Sequence, residues 1–102
     1  MTNITIKEEK DKVIIDLIGH AGYNPGNDVV CAAISILTYT LLNELANSKV
    51  PFKHKVSPGK VHIETERIPA IRTVITGWRL LEEAYPEHVK LAWKMGGEIQ
   101  KQ

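Results

Sequence analysis

Hydrophobic and polar positions alternate first near the N-terminus, where Ile4 and Ile6 stand between Asn3, Thr5 and Lys7. That is the period of a half-buried strand. A charged reversal from Glu8 to Lys12 leads into Val13-Ile14-Ile15-Asp16-Leu17-Ile18, apolar at five of its six positions. Such a run is predicted to lie inside a sheet rather than at its edge. The two strands should pair as an antiparallel hairpin. Beyond a glycine-rich loop the period becomes helical, with Val30, Ile34, Leu37, Leu41 and Leu45 on one stripe. Val29, Ala32, Ala33, Ile36, Tyr39 and Leu42 carry apolar character almost all the way round. A helix of this kind is expected to be buried on more than one side, by a sheet and by a second subunit or segment. It should stop near Asn47-Ser48, before Pro51.

Alternation then returns. Phe52, His54 and Val56 interleave with Lys53, Lys55 and Ser57, and Val61, Ile63 and Thr65 with His62, Glu64 and Glu66. Between them Ser57-Pro58-Gly59-Lys60 places proline second and glycine third, as a type II turn prefers. Pro69 suits the first turn of a second helix. Its buried stripe is Ile71, Val74, Ile75, Trp78, Leu81 and Tyr85; Arg72, Arg79, Glu82 and Glu83 cover its outer side, and Pro86 marks its end. Val89, Leu91, Trp93 and Met95 alternate with Lys90, Ala92 and Lys94, predicting a fifth strand that runs into Gly96-Gly97. The order β-β-α-β-β-α-β predicts an α+β fold of two layers. Its five-stranded sheet should be antiparallel-rich, with two helices on one face.

Composition narrows the class. The 102 residues make one domain, and 43% hydrophobic content suffices for a core. A net charge of +1 supplies no overall field toward nucleic acid, so no direct nucleic-acid binding is expected. The start, Met1-Thr2-Asn3-Ile4-Thr5-Ile6-Lys7, does not read as a signal peptide. Val29 to Asn43, the longest nearly uncharged stretch, is shorter than the roughly 20 residues of a membrane span, so no membrane is expected. The single cysteine rules out an intrachain disulfide framework and suits a reducing, cytoplasmic setting.

That cysteine, Cys31, is also the centre of the candidate chemistry. Asp28 reads as the helix N-cap, which puts Cys31 in the first turn. A lone cysteine in an apolar helix is commonly a small buried hydrophobe. An ordinary thiol is only a few per cent ionised at neutral pH. A helix terminus offers about 0.3–1 kcal/mol, less than a tenfold change, and the negative Asp28 opposes it. Activation therefore needs a base, and His20 is the histidine that the loop can bring close. His54 and His62 fall on opposite sheet faces if the turn centres on Pro58-Gly59, which argues against a zinc site. His62 and His88 read as surface, and no metal or cofactor is expected. The loop Gly22-Tyr23-Asn24-Pro25-Gly26-Asn27 is open to two readings, a substrate lid or a plain connector. Ser35, one turn after Cys31, either orients the thiol or bonds its own helix backbone.

Gly19-His20-Ala21, Gly26, Asp28, Val30-Cys31-Ala32-Ala33 and Ser35 closely resemble the signature of the ribosomal-processing cysteine protease family, Prp. The order and lengths of the elements resemble that family over nearly the whole chain. The loop between His20 and Cys31 is one residue shorter than in the members it resembles, and Asn27 stands where a charged residue is frequent. The resemblance implies a homodimeric bacterial endopeptidase with a mobile loop over its active site. Its substrate would be the large-subunit ribosomal protein numbered twenty-seven, whose N-terminal extension is removed after a pair of phenylalanines. It implies Cys31 as nucleophile and His20 as general base then acid, with Asp28 and Ser35 supporting and Gly22 to Asn27 gating the substrate. The rival expectation is a non-catalytic, ribosome-associated homodimeric binding module in which Cys31 is only packed.

Overall fold

The computed structural model of the chain describes residues 1–95. Its elements are β1 (Thr2–Glu8), β2 (Val13–Ile18), α1 (Val29–Ser48), β3 (Phe52–Ser57), β4 (Lys60–Thr65), α2 (Pro69–Ala84) and β5 (Val89–Met95). The expected run of the fifth strand into Gly96-Gly97 lies outside the described residues.

The five strands form one sheet in the order β3-β4-β2-β1-β5. All neighbours are antiparallel except β1 and β5, which run parallel with Ile4 opposite Leu91. The strand read as an interior one, β2, does sit at the centre, between β1 and β4. Each crossover from a hairpin to the next strand carries a helix, and α1 packs against α2.

One face of the sheet is buried. Ile4 and Ile6 of β1, Val13, Ile15 and Leu17 of β2, Ile63 of β4 and Val89 of β5 meet Val30, Ile34, Leu41 and Leu45 of α1. Ile71, Val74, Ile75 and Trp78 of α2 complete this core. The alternation of burial along β1 and β2 follows directly from the alternation of side chains across the pleat.

Two expectations change. First, α1 is buried on one side only within a single chain, leaving Val29, Ile36 and Tyr39 at 58%, 65% and 49% exposure. The second covering layer is thus not supplied by the described residues. Second, α1 runs to 20 residues of mean hydropathy 1.7, long and apolar enough by composition to cross a membrane. Its core positions, however, are fully engaged by the sheet and α2: Leu41 and Leu45 are both 0% exposed.

Candidate active site

The site lies where β2 ends and α1 begins. Gly19 closes β2 with φ +101°, in the left-handed region, and a side chain there would collide with the Met1 carbonyl oxygen. Glycine is required on both counts. The Gly19 N–H donates to the Gly59 carbonyl at 2.8 Å, tying the base of the loop to the β3–β4 turn. Gly59 has φ +70°, as the type II turn demands. A Cβ on Gly59 would lie 2.9 Å from Nε2 of His20, so the imidazole rests directly over this turn.

On the opposite bank, Asp28 caps α1 in extended conformation. One carboxylate oxygen accepts from the N–H groups of Val30 and Cys31 at 3.0 and 2.9 Å. The other accepts from Tyr23 and Asn24 at 2.9 and 3.3 Å. The single side chain therefore fastens the loop to the helix. These bonds hold its carboxyl below the usual value near 3.8, the Cys31 N–H contributing most, against the partial desolvation that opposes it.

Cys31 is half-buried in the first turn, and its Sγ accepts a hydrogen bond from the Ala21 N–H at 3.2 Å. Ala21 is itself 1% exposed, and its carbonyl accepts from Nδ1 of His88 at 3.0 Å. Tyr23 completes the clamp by meeting the rings of Tyr85 and His88 edge-on, with centroids 5.3 and 5.4 Å apart.

The sequence pattern puts His88 on the surface; in the fold it is half-buried and anchors the loop. Its partner is 67 residues away in the chain, so no local signal marks it. The remaining histidines stay outside the site. His54 is exposed on the edge strand and stacks on Phe52, and it faces opposite to His62, as the turn predicted. His62, another expected surface residue, is half-buried between Asp16 and Glu64 on the open sheet face, at 2.5 and 2.8 Å.

His20, Cys31 and Ser35 line one cleft of about 430 Å³. Leu17, Ile34, Val56 and Val61 give it an apolar wall, and Tyr39 and Lys60 stand at its sides. His20 and Ser35 are exposed to it. No hydrogen bond joins His20 to Cys31 in this arrangement, although both face the same space. Two N–H groups near the helix start are already engaged in this arrangement. The Cys31 N–H is committed to Asp28, and the Asn27 N–H donates to the Asn24 carbonyl at 2.9 Å. Residues Gly22 to Asn27 are all exposed, in a bend closed by that Asn24–Asn27 contact.

A thiol on a helix start, a histidine across a shared cleft and an apolar groove define a site of the cysteine-hydrolase kind. The sequence pattern of cysteine protease Prp matches residues 1–90, and the chain belongs to that family of cysteine proteases. None of the curated protein sequences matches it. Among solved structures, the ribosomal processing protease Prp of Staphylococcus aureus with a covalently linked product peptide superimposes with a TM-score of 0.83. The two share 24% identity over 92% of this chain and 100% of that one. The same S. aureus protease with a substrate peptide gives a TM-score of 0.67 at 20% identity, over 92% of this chain and 100% of that one. SMU.848 from Streptococcus mutans gives 0.69 at 25% identity, covering 93% of this chain and 95% of that one.

Proposed function

We propose that the chain is a processing endopeptidase that removes the N-terminal extension of the large-subunit ribosomal protein numbered twenty-seven, using Cys31 as nucleophile and His20 as base. The observation that carries this reading is the shared cleft: Cys31 and His20 line the same apolar groove, in a chain of a cysteine protease family. The S. aureus relative, solved with peptides, supports a peptide as the occupant.

The chemistry follows from the geometry. The Ala21 N–H steadies the sulfur while His20 swings from its rest over Gly59 and takes the thiol proton. The thiolate attacks the scissile carbonyl carbon, and a tetrahedral adduct forms. Opening of the Asn24–Asn27 bend frees the Asn27 N–H to meet the oxyanion. The C–N bond then breaks, and the imidazolium returns its proton to the departing amine. Neutral His20 next takes a proton from a water that attacks the thioester carbon; the C–S bond breaks, the product leaves as its carboxylate, and the imidazolium returns the proton to Sγ. Asp28 supports this sequence by holding both the loop and the Cys31 turn, and Ser35 offers a hydroxyl to the cleft one turn away. The apolar wall of Leu17, Ile34, Val56 and Val61 suits the aromatic residues preceding the cut.

The working unit is a homodimer joined through α1. Val29, Ile36 and Tyr39 form an exposed apolar strip on one side of that helix, which water would leave poorly satisfied. A reducing cytoplasm keeps the thiol free.

Mixing the purified chain with the full-length ribosomal protein, and locating the cut by mass spectrometry, tests this reading. It predicts a single cleavage in the N-terminal extension, lost in Cys31→Ala. Cleavage retained by Cys31→Ala contradicts it, and tight binding without any cut would instead favour a ribosome-associated binding module.

A further inference from the structure

The open face of the sheet, opposite the helices, is unusual in its charge. Strand register assigns to it Lys7 of β1, Lys90 and Lys94 of β5, Lys53 and Lys55 of β3, and Lys60 of β4. All six are exposed. The carboxylates on this face are Asp16 and Glu64, and both are turned onto the ring of His62. No lysine of the face forms an ion pair among the described residues. Six lysines less two carboxylates leave +4 on this face; the chain total is +1, so the remaining residues carry −3. The small net charge that argued against nucleic-acid binding thus conceals a strongly two-sided molecule.

The arrangement has a shape as well as a sign. Lys7 and Lys94 are direct neighbours in register, with Lys90 along the same flank. Lys53, Lys55 and Lys60 form the opposite flank. Between them β2 presents Ile14, Asp16 and Ile18. At about 4.8 Å per strand, the flanks stand from about 10 Å (β1 to β4) to about 19 Å (β5 to β3) apart. No Phe, Tyr or Trp lies on this face among the described residues, so it lacks the stacking platforms that hold single-stranded bases. Two lysine flanks about a shallow middle suit the paired backbones bordering the wide, shallow groove of an RNA helix.

We propose that this face docks on the phosphate backbone of folded, double-helical RNA, independently of sequence, and so brings the protease to its substrate. The choice of RNA rests on the ribosomal substrate proposed above; the polyanion chemistry rests on the lysines alone. Such binding is driven by counterion release and falls steeply with salt.

The test is fluorescence anisotropy of a labelled RNA hairpin with the Cys31→Ala chain, which separates binding from cleavage. Affinity is expected to drop at least tenfold between about 50 and about 200 mM salt. The pairs Lys7→Glu with Lys94→Glu, and Lys53→Glu with Lys55→Glu, should each weaken binding about tenfold or more and flatten the salt slope by about two. Lys10→Glu with Lys49→Glu, equal in charge but off this face, should change affinity less than about twofold. Circular dichroism melts check that every variant folds. Absent binding at the lowest salt, equal loss from the off-face pair, or tighter binding to a DNA duplex or to anionic vesicles than to RNA overturns the proposal. Wild-type cleavage without RNA binding removes this proposal alone. RNA binding by a chain that cuts no ribosomal protein supports the lysine face as a polyanion site while removing the substrate reading.

Discussion

The N–H of Ala21 points at the sulfur of Cys31 across 3.2 Å, and the same peptide's neighbouring carbonyl is held by His88. The thiol is thus positioned by a residue from the far end of the chain. Replacing His88 with alanine should free the Ala21 carbonyl and loosen the donor at sulfur. A typical hydrogen bond contributes about 0.5–1.5 kcal/mol, which corresponds to a loss of about two- to twelvefold. The loss should fall on kcat and on the rate of Cys31 alkylation, with KM little changed. His88→Asn, which keeps a donor, should recover most of it. Equal effects on both variants, or an effect confined to thermal stability, would show His88 to be only a packing residue.

Gly59 makes a second connection that can be probed. Alanine there must adopt φ near +70° and put a Cβ 2.9 Å from His20 Nε2. The backbone alone should cost about 1–2 kcal/mol of stability. A shorter way to see the displaced imidazole is the peptidase assay, in which Gly59→Ala should lose more activity than its lowered melting temperature explains. Full activity with only a lowered melting temperature would separate the turn from the site.

Acid should act on the loop through Asp28. Its carboxyl titrates below its usual value because of the bonds it accepts, led by that from Cys31. A lowered folded value contributes stability that is present above the unfolded value and is lost as pH falls through the folded one. Amide exchange at Tyr23, Asn24, Val30 and Cys31 should therefore quicken as pH falls below about 3.8, beyond the intrinsic change in exchange rate. In Asp28→Asn these amides should exchange faster at neutral pH and show no such step. A step that persists in Asp28→Asn would assign it to another group.

The sheet's open face has the opposite sign. His62 is raised above its usual value near 6.5, first by Glu64 and then by Asp16, against some desolvation. Glu64 is correspondingly lowered, first by His62. The histidine's contribution is full below about pH 6.5 and disappears as pH rises through its raised folded value, while that of Glu64 is lost in acid. The gap in melting temperature between wild type and His62→Gln should be widest near pH 5 to 6 and narrow as pH rises through the histidine's raised folded value. A gap independent of pH would mean that the ring contributes by packing alone.

Much of this was legible in the sequence, because much of it is local. Alternation named the strands, and the Asp28 cap and the Pro58-Gly59 turn follow from chemistry within four residues. The nearly all-round apolar α1 called for cover on more than one side, whereas the described residues cover only one and leave Val29, Ile36 and Tyr39 exposed. What was not legible depends on distant register. The grip of His88 on Ala21 needs β5 beside β1, a parallel pairing that no hairpin signal announces. The clamp on His62 needs the β2–β4 pairing that sets Asp16 opposite it. The lysine face also emerges only when five strands are ordered, since net charge sums over both sides of the sheet.

The most direct measurement of the central claim is mass spectrometry of the enzyme itself, quenched in acid during turnover of the extended ribosomal protein. Cys31 as nucleophile and His20 as base predict an acyl adduct that maps to the peptide bearing Cys31, forms far more slowly in His20→Ala, and is absent in Cys31→Ser. Cleavage by Cys31→Ala, or an adduct that forms equally fast without His20, would contradict the account.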